Sequence, residues 1–348
     1  EICACLVGSE MCIRDRDMGG KLYYLLHSGK NSKQKYYAVN YLRQLMPKAI
    51  FRARLERLLK SVAERDDYDY IMSRVDYYNK LDTPVELPDD APVLAGHVIP
   101  KKQKVYYFDT YEYLRWFSDS YRWGYCPGDV IHVPDYPSIV KSRPLVDDNA
   151  NSVLMKLDKV RHFIFVNDRK PFVEKMPKAI FRGKVANVDS ENNKEGRADF
   201  MRKYCGSSIC DAADVSGKGN IPEAWRGEKL TIGQHLDYMF IMALEGNDVA
   251  SNLKWVMSSN SLAVMPRPTC ETWFMEGQLK PDFHYVEIKS DYSDLEEKMQ
   301  YYISHPEKAQ FIIDNAHKWV DQFRDSKRED LISLLVLDKY FRMTGQKK

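Results

Sequence analysis

Pro134-Asp135-Tyr136-Pro137 sets one carboxylate between two prolines, whose rings fix the backbone on either side of it. The apolar run Val130-Ile131-His132-Val133 before it reads as a strand. Asp135 is therefore expected at a strand's carboxyl end, where open α/β sheets gather their functional groups. A carboxylate fixed there is a candidate functional group, and a turn aspartate capping the following amides gives the same pattern. A second constellation begins where Ala179-Ile180-Phe181 runs into Arg182-Gly183-Lys184. A strand ending in Arg-Gly puts a cation beside backbone that a ligand can approach closely, which suits a diphosphate. Arg197, on a helix expected over 195–204, faces back toward the same loop. A third constellation follows 238–244, a continuous apolar run suited to a strand buried on both faces. Glu245-Gly246-Asn247-Asp248 interrupts it. Gly246 permits a tight turn, and Asp248 or Ser251 caps a helix running through Asn252 and Lys254 to about Ser258, whose free amides would face a phosphate. Residues 261–265 return as the next strand. Glu271 and Trp273 follow in an aromatic-acidic loop, which a packed tryptophan beside a solvated glutamate also explains.

The elements that must position these groups alternate in an α/β pattern. Residues 21–80 have helical spacing, as in Leu55, Leu58, Leu59 and Val62. Val105-Tyr106-Tyr107-Phe108 reads as a strand and 110–117 as a short helix, while 162–166 reads as a further strand before the linker at 167–171. Tyr285-Val286-Glu287-Ile288 is the last expected strand. Ser293-Asp294-Leu295-Glu296 has the form of a capping box, Pro306 opens a helix to about Phe323, and a final helix spans 328–341.

The chain has 348 residues, 44% apolar and 29% charged, enough for two cores, and a net charge of +2 implies no global field for nucleic acid. It holds no apolar run of about 18 residues, so a transmembrane helix is not expected. Scattered cysteines suit a reducing cytosol. Residues 1–16 differ in texture from the rest and are expected to be a non-native extension. Asp67-Tyr68-Asp69 is formally a metal-holding DxD, but its charged surroundings favour a solvated helix end. The chain shows no HExxH, paired CxxC, GxSxG or P-loop motif.

The ordered blocks PDYP (134–137), FRG (181–183), EGNDVASNLKW (245–255), SSNS (258–261), ETWFMEG (271–277), HYV (284–286) and SDL (293–295) resemble glycosyltransferase family 90. That family includes LpsA-like lipopolysaccharide-core transferases, which the chain matches best, capsule-associated xylosyltransferases and Rumi-type protein O-glucosyltransferases. The resemblance implies a GT-B-like architecture of two Rossmann-like lobes flanking a cleft. It divides the chain into an acceptor-side lobe (17–170), a nucleotide-sugar lobe (171–327) and a helix (328–348) packing across them. It also implies inverting, metal-independent transfer of a hexose from a UDP-sugar, the co-substrate, to a lipopolysaccharide or related glycan, with no resident cofactor. Asp135 then matches the base; Arg182, Gly183, Lys184 and Arg197 match the diphosphate contacts; and Gly246, Asn247, Asp248, Ser251, Asn252, Lys254 and Glu271 fall in the donor-binding blocks. Asn252 departs from the family, whose animal members carry an arginine there. A cytoplasmic setting, peripheral at the inner face of the inner membrane, is the accompanying expectation; the basic and aromatic residues of 21–57 are one source of contact, and their composition is equally that of a solvated helix. Two other readings compete: a non-catalytic glycan- or nucleotide-binding protein of the same fold, and a metal-dependent transferase using Asp67 and Asp69.

Overall fold

The computed structural model describes residues 28–185, 195–217 and 219–347; the expectation for residues 1–16 lies outside them. Four helices come first: α1 (Lys33–Gln44), α2 (Lys48–Lys60), α3 (Tyr68–Tyr78) and α4 (Lys104–Leu114). Three short strands, β1 (Gly124–Cys126), β2 (Ser138–Val140) and β4 (Ser152–Leu154), form a parallel sheet in the order β1-β2-β4. α5 (Lys159–His162) leads toward the second half. There β5 (Met176–Gly183), α6 (Glu195–Tyr204), β6 (Cys210–Asp214), α7 (Ile232–His235), β7 (Tyr238–Met242), α8 (Leu253–Met257), β8 (Leu262–Met265) and β10 (Val286–Glu287) alternate. All pairs in this larger sheet are parallel, in the order β10-β8-β7-β5-β6. Counted from β5 this is the doubly wound order 2-1-3-4-5, whose switch point lies between β5 and β7. β3 (Ser142–Pro144) pairs antiparallel with β9 (Cys270–Thr272), tying the two halves together.

Strand alternation decides the layers. Phe240 and Met242 face the core formed by α6, α9 (Leu295–Ser304) and α10 (Pro306–Asp321). Ile241 and Ala243 face a second core, shared with β2, β4, α3 and the terminal helix α11 (Ser326–Met343). That second core runs without a break across residue 170. α11 is buried nearly all round, with Leu331, Ile332, Leu334, Val336, Leu337 and Phe341 among its interior side chains, as befits a central helix. Asp325 caps it by accepting from the amides of Lys327 and Arg328.

Several local expectations are corrected. Residues 105–108 belong to α4, not a strand; Tyr106, Tyr107, Phe108, Tyr111, Tyr113 and Leu114 are all buried, so packing on every side overrides their β preference. Residues 130–133 form no strand: Val130 is pinned through both N–H and C=O to the Ser142 hydroxyl, and the strand of this region is β2, after Asp135. Residues 162–166 are not a strand either, since α5 ends at His162. Ser293 does not cap α9; Asp294 stands at its start and its carboxylate accepts from the Lys289 amide at 2.9 Å.

Candidate active site

The switch point is the natural crevice of this sheet, and one arginine spans it. Arg197, early in α6, donates from Nη1 to the Lys184 carbonyl (3.0 Å) at the end of β5. From Nη2 it donates to the Leu244 carbonyl (2.7 Å), just after β7. Gly246 is favoured by this contact rather than by its torsions, because a Cβ there would lie 3.1 Å from Arg197 Nη2 and press on it. Burial lowers the arginine's pKa, and its buried Nε has no hydrogen-bond partner among the described residues.

The Gly246 loop meets the first half of the chain through a polar cluster. Asn247 is exposed and donates to Asp129 Oδ2 at 3.0 Å. Asp248 is buried, and its Oδ2 lies 2.6 Å from Lys141 Nζ, an ion pair whose angle makes no hydrogen bond. Lys141, also fully buried, pairs with Asp129 as well. Arg161, with half its side chain in solvent, reaches Asp158 at 2.9 Å and Asp129 at 3.7 Å. Burial alone would raise the Asp129 carboxyl, but Lys141, Asn247 and Arg161 outweigh it and hold it below its usual range. Asp158 is pushed up by burial, and His162, buried among the cations Lys254, Lys141 and Arg161, is pushed well down. Among the described residues its Nδ1 is likewise buried without a hydrogen-bond partner. Buried polar atoms left unpaired are rare enough to call for a ligand or strain as explanation. Among the described residues one of them, Arg197 Nε, stands beside this loop, and the Asp248 carboxylate on the loop is held by charge alone.

The other residues singled out in the sequence divide between crevice and scaffold. Gly183 and Lys184 end β5 beside the crevice, with Lys184 exposed; a Cβ on Gly183 would strike the Phe181 ring at 2.6 Å. Arg182 turns away along the sheet, pairing with Asp211 at 2.7 Å and donating to the Glu228 carbonyl at 3.2 Å. Asp248 and Ser251 do not cap the short α8, which begins only at Leu253; Ser251 is half-buried in the preceding turn, and Asn252 donates to the Met242 carbonyl at 3.0 Å. Lys254 is fully buried against Glu276 at 2.5 Å, and Glu276 also accepts from the Thr272 amide. Glu271 is not solvated: it pairs with buried Arg143 at 2.7 Å across the β3–β9 ribbon and accepts from the Tyr77 hydroxyl. Trp273 is a core residue, stacked on Tyr78 at 3.8 Å and donating to Glu329 at 2.6 Å. Asp67 is occupied by Arg65 and Arg328 at the start of α3.

Asp135 is exposed at the entry of β2, whereas Lys141 follows the exit of that strand. Only its backbone carbonyl is engaged, by Asn151 at 3.1 Å. The structure therefore brings Arg197, Gly183, Lys184 and 246–248 together, and places Asp135, Arg182, Lys254 and Glu271 outside that group. Sequence reasoning missed Asp129, Lys141, Asp158 and Arg161. The alternation of charge and apolar residues in Val140-Lys141-Ser142-Arg143 was the available signal for two buried cations.

The profile of "Glycosyl transferase family 90" matches residues 135–343. The chain belongs to glycosyltransferase family 90. "O-glucosyltransferase LpsA" of Dichelobacter nodosus is similar to it, 39% identical over 289 residues, covering 83% of this chain and 87% of its own length. "Uncharacterized protein 179R" of Invertebrate iridescent virus 6 is 33% identical over 233 residues, which cover 55% of this chain but only 19% of the viral protein. A family 90 glycosyltransferase needs a place for a sugar donor and a place for an acceptor. The crevice between β5 and β7 is where a doubly wound sheet offers the first.

Proposed function

We propose that this glycosyltransferase transfers a hexose, with inversion and without a metal ion, from a UDP-sugar to a lipopolysaccharide or related glycan. The observation that carries the donor half is Arg197 bridging the carboxyl ends of β5 and β7 with its Nε unpaired, beside the Gly246 loop. A diphosphate in that crevice would take the free N–H of Arg197, the Lys184 ammonium and the exposed Asn247 amide, and Arg161 adds a cation from the opposite wall. In this reading the halves 17–170 and 171–327 act as the two lobes of a GT-B enzyme, with 328–348 packing across them. Glucose is the first donor to try, in keeping with the relative named an O-glucosyltransferase. The setting proposed with it is the cytoplasmic face of the inner membrane; no helix among the described residues is long and apolar enough to cross a membrane.

Inversion needs a base to take the acceptor's hydroxyl proton while the diphosphate departs. The resemblance assigns that base to Asp135, an exposed carboxylate whose side chain makes no hydrogen bond or ion pair among the described residues. Position favours a second reading, in which Asp129, in contact with the Gly246 loop, serves instead. Against it, a carboxylate held below its ordinary pKa is a weaker base. The two readings separate in one experiment. Asp135→Asn should lower turnover by about 10² to 10⁴ while leaving UDP binding intact. Normal transfer by that variant, with loss in Asp129→Asn, would hand the role to Asp129. UDP binding is read by calorimetry, and Arg197→Ala should abolish it if the crevice holds the donor.

A further inference from the structure

α1 is built inside out. Beyond its first turn, polar side chains face the protein: Tyr36 donates to Asp109 at 2.6 Å, Arg43 pairs with Glu112 at 2.6 Å, and Gln44 accepts from Tyr107 at 3.0 Å, all on α4. Its apolar residues face solvent, with Val39, Leu42, Leu45 and Met46 exposed by 45, 64, 79 and 47%. After the turn at Pro47, Ile50 continues the same surface on α2, 49% exposed, while Phe51, Leu55 and Leu59 form that helix's buried face. Six of the eighteen large apolar side chains exposed among the described residues fall within 39–50, so this is a patch and not scatter.

Its charge is one-sided. Residues 28–63 hold nine lysines and arginines and a single acid, Glu56, which Lys347 neutralises at 2.6 Å. Arg43, Lys48 and Arg52 are committed to Glu112 and Asp119. Lys33, Lys35, Arg54, Arg57 and Lys60 are exposed and make no ion pair with the described residues. The loop before α4 extends the pattern: Val98 and Ile99 are exposed beside Lys101 and Lys102, and Lys104 reaches the Tyr41 hydroxyl on α1 at 3.3 Å.

We infer that the α1–α2 corner is a docking surface for an anionic lipid bilayer, with Leu42, Leu45, Met46 and Ile50 entering the headgroup boundary and the free lysines and arginines meeting lipid phosphates. An apolar face ringed by long cationic side chains is the chemistry of an interfacial helix, because those side chains lay their stems on the apolar layer and keep their charge in the headgroups. A second copy fits less well, since a twofold contact through this face would set its unpaired cations against themselves. The inference deepens the membrane-side setting proposed above and does not depend on the identity of the base or donor.

The test is sedimentation of the full chain with vesicles of phosphatidylcholine alone, or of phosphatidylcholine and phosphatidylglycerol in equal parts. Binding is expected only to the anionic vesicles, weakening as salt rises. The Leu42→Glu/Leu45→Glu variant should lower that binding about tenfold or more. Arg54→Glu/Arg57→Glu should abolish the preference for the anionic lipid. All four side chains are exposed, so unchanged thermal melting confirms folded variants. Donor hydrolysis or transfer to a soluble glycan should stay at the level of the unaltered protein, so a wrong catalytic reading and a wrong surface fail in different assays. Equal binding to both vesicles, no binding to either, or unimpaired binding by the leucine variant overturns the inference. So does a dimer, seen by sedimentation velocity, that Leu45→Glu dissociates.

Discussion

Arg197 shows how one side chain can tie two strand ends together at a switch point. Two of its nitrogens are spent on the carbonyls that end β5 and β7, and the third is buried and unpaired. Lysine cannot reproduce that fork. Arg197→Lys should therefore keep the fold but weaken UDP binding by about tenfold or more, the worth of one charge-assisted hydrogen bond, measured by calorimetry. Much of this half of the site is legible in the sequence, because a strand, a glycine loop and a short helix are contiguous and the loop needs no distant information. The other half is not. Asn247 and Asp129 touch across 118 residues, and Arg161 joins them through Asp129, so nothing local marks these residues as neighbours. Arg182 fails for a related reason: its position at a strand end was visible, but its direction was decided by Asp211 on the edge strand.

The short elements depend on buried ion pairs more than on their own propensity. α8 has five residues, too few to stand without tertiary support, and Lys254 anchors it to Glu276 in the turn after β9. Lys254→Met removes the counter-charge of a glutamate that is 2% exposed, and should cost about 3–5 kcal/mol in urea unfolding. Glu271→Ala, which strands Arg143 in the β3–β9 ribbon, should cost a similar amount. If either variant melts as the unaltered protein does, that pair is not holding its element. The long strands β5 and β7 and the helices α10 and α11 are readable because their apolar pattern is sustained. The strands expected at 105–108, 130–133 and 162–166 are short apolar runs of the kind whose type periodicity cannot decide. The first was taken by a helix buried on all sides, the second by a hydroxyl that bonds Val130, and the third by the end of α5.

At the scale of the molecule, buried histidines set the response to acid. Burial lowers His97 and His284 to about 4, and lowers His162 and His235 as well. The unfolded chain takes up those protons first, near pH 6.5, so the stability they confer is complete above that value and is lost as pH falls. Asp109, pushed up to about 6 by burial, and Asp158 and Asp330, also raised by burial, act in the opposite sense and offset part of this. The melting temperature should fall between pH 7 and about 5, and His97→Gln should flatten part of that slope in a calorimetric scan. A flat profile would mean the four imidazoles are not kept neutral.

α11 joins the ends of the chain. Glu329 receives Arg74 of α3 at 2.6 Å and Trp273 at 2.6 Å, and the Tyr340 hydroxyl accepts from the Gly124 amide and donates to the Pro137 carbonyl. Its core side chains are worth about 1.5–3 kcal/mol each. α1 to α4 leave the ribosome about 200 residues before α11 does, a wait of roughly 10–40 s at bacterial or eukaryotic synthesis rates. During that time the first half of the protein has an interior with its central rod missing. An unfinished interior of that kind leaves apolar surface for chaperones to hold, and a nonsense mutation between α4 and residue 326 removes the helix on which the first half's core closes.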